Sequence, residues 1–186
     1  MPQSFTPIPE WHAVSPEQFH TDIVSQCRPA ILRGFVRHWP LVKVAQQSAA
    51  EALMRLQALD SGVPVDAILL RPEEKGRVFY TPAMDGFNFL RNRLPISEVI
   101  AQILRYAQFA APPSVAVQSA QVAACLPGLL NDHTLDVLVA DVLPRIWLGN
   151  HITTPTHIDG SDNIACVVAG RRQFVLFPPE QIANLY

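Results

Sequence analysis

Arg145-Ile146-Trp147-Leu148-Gly149, followed by Thr153-Thr154-Pro155-Thr156-His157-Ile158-Asp159, is the stretch on which the reading of this chain turns. The first five residues read as a short strand that closes on a glycine. Two further runs, 163–168 and 173–177, repeat that character and are separated by short polar or glycine-containing turns. Strands written close together in this way predict an antiparallel barrel or jelly roll.

Working back from this stretch, Ser114-Val115-Ala116-Val117-Gln118-Ser119 alternates like a half-buried strand after Pro112-Pro113. Earlier still, helical signals dominate. Ser15-Pro16-Glu17-Gln18 sets a capping serine before a proline at the first helical position, predicting a helix to about residue 26. Ala30-Ile31-Leu32-Arg33-Gly34-Phe35 predicts a strand, with His38-Trp39-Pro40 as a turn. A second helix is expected over 41–59, stopped by Asp60-Ser61-Gly62. Strands are expected over 64–70 and 77–80, joined by a hairpin loop at 71–76, and Ser97 is expected to cap a third helix through residue 106. The predicted class is α+β, mainly β with amino-terminal helices. The whole of 1–186 reads as one domain, with a helix-rich part to about 110 and the first jelly-roll strands from 111 onward.

Composition agrees with that class. The 186 residues are 49% hydrophobic, enough for one buried core. Seventeen prolines are too many for a helical bundle and too scattered for a linker. The formal net charge of −2, without a run of Lys or Arg, lacks the electrostatic footprint of a nucleic-acid or membrane-surface binder. No apolar run approaches a membrane span, and Met1-Pro2-Gln3-Ser4-Phe5 lacks the pattern of a signal peptide, so a cytoplasmic location is expected. Three widely spaced cysteines, Cys27, Cys125 and Cys166, fit neither a disulfide framework nor a zinc knuckle and are expected to be buried reduced thiols.

On an extended backbone, residues two apart point to the same side, so His157 and Asp159 can aim an imidazole nitrogen and a carboxylate oxygen at one cation. Two His and one carboxylate form a facial triad that leaves three positions open on iron(II), and His157 with Asp159 supply two-thirds of it. His-x-Asp by itself is equally a polar turn whose members only hydrogen-bond.

The surrounding string is more specific. Thr154-Pro155-Thr156-His157-Ile158-Asp159, then Asn163, then Gly170-Arg171-Arg172-Gln173-Phe174-Val175-Leu176-Phe177-Pro178-Pro179 resembles the cupin-like JmjC family, and residues 28–40 resemble its opening strand more loosely. The resemblance implies a double-stranded β-helix fold and an oxygenase that uses Fe(II) and 2-oxoglutarate as co-substrate. It implies that His157 and Asp159 bind the iron and that Thr154 and Asn163 line the 2-oxoglutarate pocket. It also implies that Arg172 grips the far carboxylate, with Arg171 the fallback. Many members carry Lys at the Arg172 position; Arg can hold a carboxylate through two parallel hydrogen bonds. Where some members use a Tyr on an earlier strand, this chain has Ala116. Gln118, on the same strand, faces either the substrate cavity or solvent.

In the family a third ligand, a His, lies on a strand well past the Phe-Pro-Pro segment, and no residue up to Tyr186 takes that place. His12, His20, His38, His133 and His151 precede the motif and read as packed or surface residues. About half of a jelly roll's strands are expected here, and their unpaired edges predict a homodimer or strand-swapped assembly. A protein side chain or small molecule is the expected substrate, with nucleic acid disfavoured. Two rivals stand beside the oxygenase: a non-catalytic cupin binding module, and a cupin enzyme with a different metal and no 2-oxoglutarate.

Overall fold

The computed structural model describes residues 6–138 and 141–185; the leader pattern looked for at Met1 to Phe5 lies outside them. Ser15 caps the first helix as expected, its hydroxyl accepting from the Gln18 backbone N–H at 3.1 Å. The helical path runs from α1 (Pro16–Gln18) through a π turn (Phe19–Ile23) and a 3₁₀ turn (Val24–Gln26). It ends where Cys27 adopts a left-handed φ of 48°. Strand β1 (Glu10–His12), which the sequence did not suggest, pairs in parallel with β2 (Ile31–Arg33).

The expected helix over 41–59 is two helices, α2 (Pro40–Gln47) and α3 (Ala49–Ala58). Ser48 is extended at φ −154° and turns the chain, and its hydroxyl accepts from the Glu51 N–H at 3.2 Å. Ser48 is thus an N-cap with an acidic residue three places on, the arrangement that starts a new helix. The start of α2 is capped at long range: the Leu41 N–H donates to His133 Nε2 at 3.2 Å, while His133 Nδ1–H donates to the Leu129 carbonyl at 3.0 Å.

The main sheet has four strands in the order β4-β3-β5-β6, all antiparallel: β3 (Val65–Leu70), β4 (Leu90–Leu94), β5 (Ser114–Gln121) and β6 (Arg145–Gly149). The partner of β3 is β4, not residues 77–80. That segment forms only isolated bridges, Arg77 with Thr153 and Tyr80 with Phe87, so 71–76 is no hairpin loop. Helix α4 (Ile96–Tyr106) lies where expected, but Ser97 does not cap it. The Asp60 carboxylate does, accepting from the Ser97 N–H at 2.9 Å.

Helices α2, α3 and α4 pack on one face of the sheet. Val65 and Ala67 of β3 and Val115 and Val117 of β5 meet Leu41, Val44, Ala52, Leu56, Ile96, Val99, Ile100 and Ile103. Ile96, Val99 and Ile100 are fully buried, each contributing at most about 1.5–3 kcal/mol of apolar burial. The other face carries Ile68, Leu70 and Ala116, with Val78, Phe89 and Ile152 against them.

The strands expected over 163–168 and 173–177 are not formed. A strand exists only as one side of a hydrogen-bonded ladder, and among the described residues no strand pairs with either segment. The first nevertheless keeps a strand's alternation, with Ile164, Cys166 and Val168 half-buried and their neighbours exposed. The architecture is α+β, consistent with a jelly roll, with no closed barrel among the described residues. Cys27 corrects the cysteine expectation: it is exposed, whereas Cys125 is buried and Cys166 half-buried.

Candidate metal and carboxylate site

The site begins at the end of β6. Gly149 lies opposite Ala116, and a Cβ added to it would meet the Ala116 Cβ and the Val115 carbonyl, both at 2.9 Å. Only glycine lets the two backbones approach so closely. The chain then crosses the loop after β3. Thr153 N–H donates to the Gly76 carbonyl at 2.8 Å and Val78 N–H donates to the Thr153 carbonyl at 3.1 Å. Four residues beyond this anchor stands His157.

His157 and Asp159 are brought together. His157 Nε2 lies 3.5 Å from Asp159 Oδ1, and both side chains are more than half exposed. His157 Nδ1 lies 2.9 Å from the Pro155 carbonyl. A carbonyl only accepts, so Nδ1 donates to it and Nε2 is the nitrogen left facing the carboxylate. Nε2 and Oδ1 at 3.5 Å can pair with each other or serve as two donors to one cation. Adjacent ligands on a metal with bonds of about 2.1 Å stand at a comparable separation. The donor set, one imidazole and one carboxylate, suits a divalent transition metal.

Asn163 Nδ2 donates to the other carboxylate oxygen, Asp159 Oδ2, at 3.3 Å. The residue expected to line a cofactor pocket therefore touches Asp159 directly, as a group that orients a carboxylate does. Thr154 is exposed on the same segment. Among the described residues no group of three or more His, Cys, Asp and Glu stands close enough to hold a metal, so the pair is joined by no third such ligand.

Among the described residues Arg172 forms no ion pair with Asp159. Its guanidinium lies 6.0 Å from the centroid of the Trp147 ring and 5.5 Å from that of Phe174. Gln118 is half-buried at a β-bulge, where Gln118 and Ser119 of β5 together oppose Trp147 of β6. Ser119 has a φ of +57°, and Arg145 Nη1 donates to its carbonyl at 2.7 Å, pinning the bulge. Bulges of this kind re-aim a side chain beside functional sites. Sequence reasoning missed Gly76, Trp147 and Arg145. Trp147 alone had a signal: it sits between Ile146 and Leu148, both packed into the helix-backed core, so alternation turns it to the opposite face.

An antiparallel sheet backed by helices on one face, releasing a His-x-Asp pair just past its last strand, is the construction of a cupin-type domain. Residues 16–186 match the family described as cupin-like domain. The chain is 27% identical over 176 residues to the bifunctional peptidase and (3S)-lysyl hydroxylase JMJD7 of Homo sapiens, an alignment covering 89% of this chain and 52% of that protein. It is 44% identical over 46 residues to JmjC domain-containing protein F of Dictyostelium discoideum, covering 24% of this chain and 10% of that protein. This chain belongs to the cupin-like JmjC family. It spans about half the length of the human relative and a tenth of the other.

Proposed function

We propose that this chain carries the metal-binding part of an Fe(II)- and 2-oxoglutarate-dependent hydroxylase acting on a protein side chain. The observation that carries the reading is the His157 Nε2 to Asp159 Oδ1 approach, with His157 Nδ1 held by the Pro155 carbonyl and the far carboxylate oxygen held by Asn163. In this reading His157 and Asp159 hold the iron, Thr154 and Asn163 border the co-substrate, Arg172 receives its far carboxylate and Gln118 faces the substrate. Bound iron and 2-oxoglutarate would supply the oxidising power for C–H hydroxylation; the chain's residues position the groups and exclude water. The lysyl hydroxylase name of the human relative supports a protein substrate. The low net charge gives no support to nucleic acid.

The same proposal includes a homodimeric or strand-swapped assembly, since Phe174, Val175, Leu176 and Phe177 are all about half exposed. It also includes a cytoplasmic location, supported by three cysteines that are all free. Among the described residues no helix is long and apolar enough to cross a membrane.

Anaerobic titration with Fe(II), followed by 2-oxoglutarate, tests the reading. The expected result is saturable iron binding that is lost in His157→Ala and Asp159→Ala, with a weak visible charge-transfer band on adding 2-oxoglutarate. Iron binding unchanged in both variants would overturn it. A second reading, a non-catalytic cupin module, is favoured by the absence of a third ligand among the described residues. It predicts neither the band nor succinate formation.

A further inference from the structure

Arg172 carries a guanidinium with no carboxylate partner among the described residues, and it lies against two aromatic side chains instead. Its central carbon is 6.0 Å from the Trp147 ring centroid and 5.5 Å from that of Phe174. Phe174 is two residues on, so an extended chain turns it to the same side as Arg172. Trp147 comes from a different element, β6, and its exposure of 49% leaves room for the contact. It projects from the face opposite the helix-backed core, because its neighbours Ile146 and Leu148 both pack into that core.

Trp147 is half exposed, while the paired Ala116 and Gly149 beside it lie on the same face, with Ala116 buried against Val78, Phe89 and Ile152. The bulge at Gln118 and Ser119, pinned by Arg145, lies directly across from the indole. An aromatic face holds a guanidinium by its π-electrons without occupying any of its N–H donors. All five donors stay available in the guanidinium plane for a planar, two-oxygen acceptor. An ammonium in the same place would be a point charge with no plane for the ring to orient.

We infer that Trp147 is a positioning residue that acts through Arg172, holding the guanidinium against its ring so that its N–H donors meet the far carboxylate of a 2-oxo diacid. This rests on the proposed 2-oxoglutarate chemistry and adds to it the group that sets the carboxylate-binding arginine in place. Trp147 touches neither the metal pair nor the 2-oxo end of the ligand in this arrangement, so its removal should be felt only by ligands that have a second carboxylate.

The test compares anaerobic binding of 2-oxoglutarate and of 2-oxobutyrate, which lacks the far carboxylate, to the Fe(II)-loaded chain by calorimetry. Trp147→Leu should weaken 2-oxoglutarate roughly three- to tenfold while leaving 2-oxobutyrate and iron affinity unchanged. Trp147→Phe should recover most of the loss. In Arg172→Ala the further loss of Trp147 should add nothing, because one acts through the other. Equal weakening of both keto acids, or additive losses in the double variant, would mark Trp147 as a structural residue and overturn the inference. Normal 2-oxoglutarate binding by Trp147→Leu would overturn it alone and leave the proposed function standing. No 2-oxoglutarate binding by the unmodified chain would overturn both.

Discussion

Gly76 and His151 touch backbone to backbone: a Cβ on Gly76 would lie 2.3 Å from the His151 carbonyl oxygen. Gly76 also has a φ of +74°, which side chains rarely adopt. This contact fixes the loop after β3 against the segment leading to His157 and Asp159, through the Thr153 hydrogen bonds with Gly76 and Val78.

Gly76→Ala should therefore act on the site as well as on the fold. The strain of the left-handed backbone and the clash together predict a loss on the order of 2–4 kcal/mol in denaturant unfolding. Iron affinity should fall in the folded variant, since residues 151–153 must move to make room. Urea melts and an iron titration on the same preparation check this; an unchanged midpoint would show that the loop yields freely.

Asn163 is predicted to tune the metal pair without binding metal. Its amide holds Asp159 Oδ2 while Oδ1 faces His157. Asn163→Ala frees the carboxylate to rotate and should weaken Fe(II) binding roughly tenfold or more, with little change in stability at so exposed a position. Asn163→Asp places a second negative charge there and should bind iron differently from the alanine variant. Equal affinity across all three proteins would remove Asn163 from the site.

Asp60 links the end of α3 to the start of α4. Partial burial pushes its carboxyl upward, but hydrogen bonds from Ser97, Gly62 and Ile96 outweigh that and hold it below the ordinary carboxylate range. A lowered folded value means that its full stabilisation is present above the unfolded pKa and is lost as pH falls through the folded one. Asp60→Ala should cost about 1 kcal/mol at neutral pH, as removal of a helix cap does. The gap from the unmodified protein should close in acid. Thermal melts across the carboxylate range check the sign; a gap that widened in acid would contradict it.

That cap also shows which features the sequence could reveal. Ser97 has the residue type of an N-cap, yet the acceptor comes from Asp60, 37 positions earlier, and no local pattern announces it. Strand β4, Leu90-Arg91-Asn92-Arg93-Leu94, escaped notice because its exposed Arg and Asn lack an apolar alternation. Val78, Phe79 and Tyr80 suggested a strand through their β propensity, which tertiary pairing overrode. β3, β5, β6 and α4 were legible because burial of one face imposes a period on the residues. The approach of His157 to Asp159 was legible for a related reason: two-residue spacing needs only local backbone. The Trp147–Arg172 contact spans separate elements and was not.

The cysteines give a prediction that bears on the unpaired segment over 163–168. Burial raises the Cys166 thiol to about 11, so at neutral pH only on the order of one thiol in 10⁴ is ionised. Cys125 is also raised, first by burial, and its S–H donates to the Gln121 carbonyl at 3.0 Å. Cys27 is exposed at the end of the first helical path. Iodoacetamide labelling followed by mass spectrometry should therefore modify Cys27 first, with Cys125 and Cys166 reacting only as the protein is unfolded. Cys166 is the informative one, because it sits between Ile164 and Val168, whose side chains pack on different apolar clusters. Those contacts, with no hydrogen-bonded ladder, are what keep its thiol from water. Ile164→Ser should loosen the segment and bring Cys166 reactivity toward that of Cys27, while leaving Cys125 protected in the main core. If Cys166 in the unmodified protein reacts as fast as Cys27, side-chain packing alone does not hold the segment to the core.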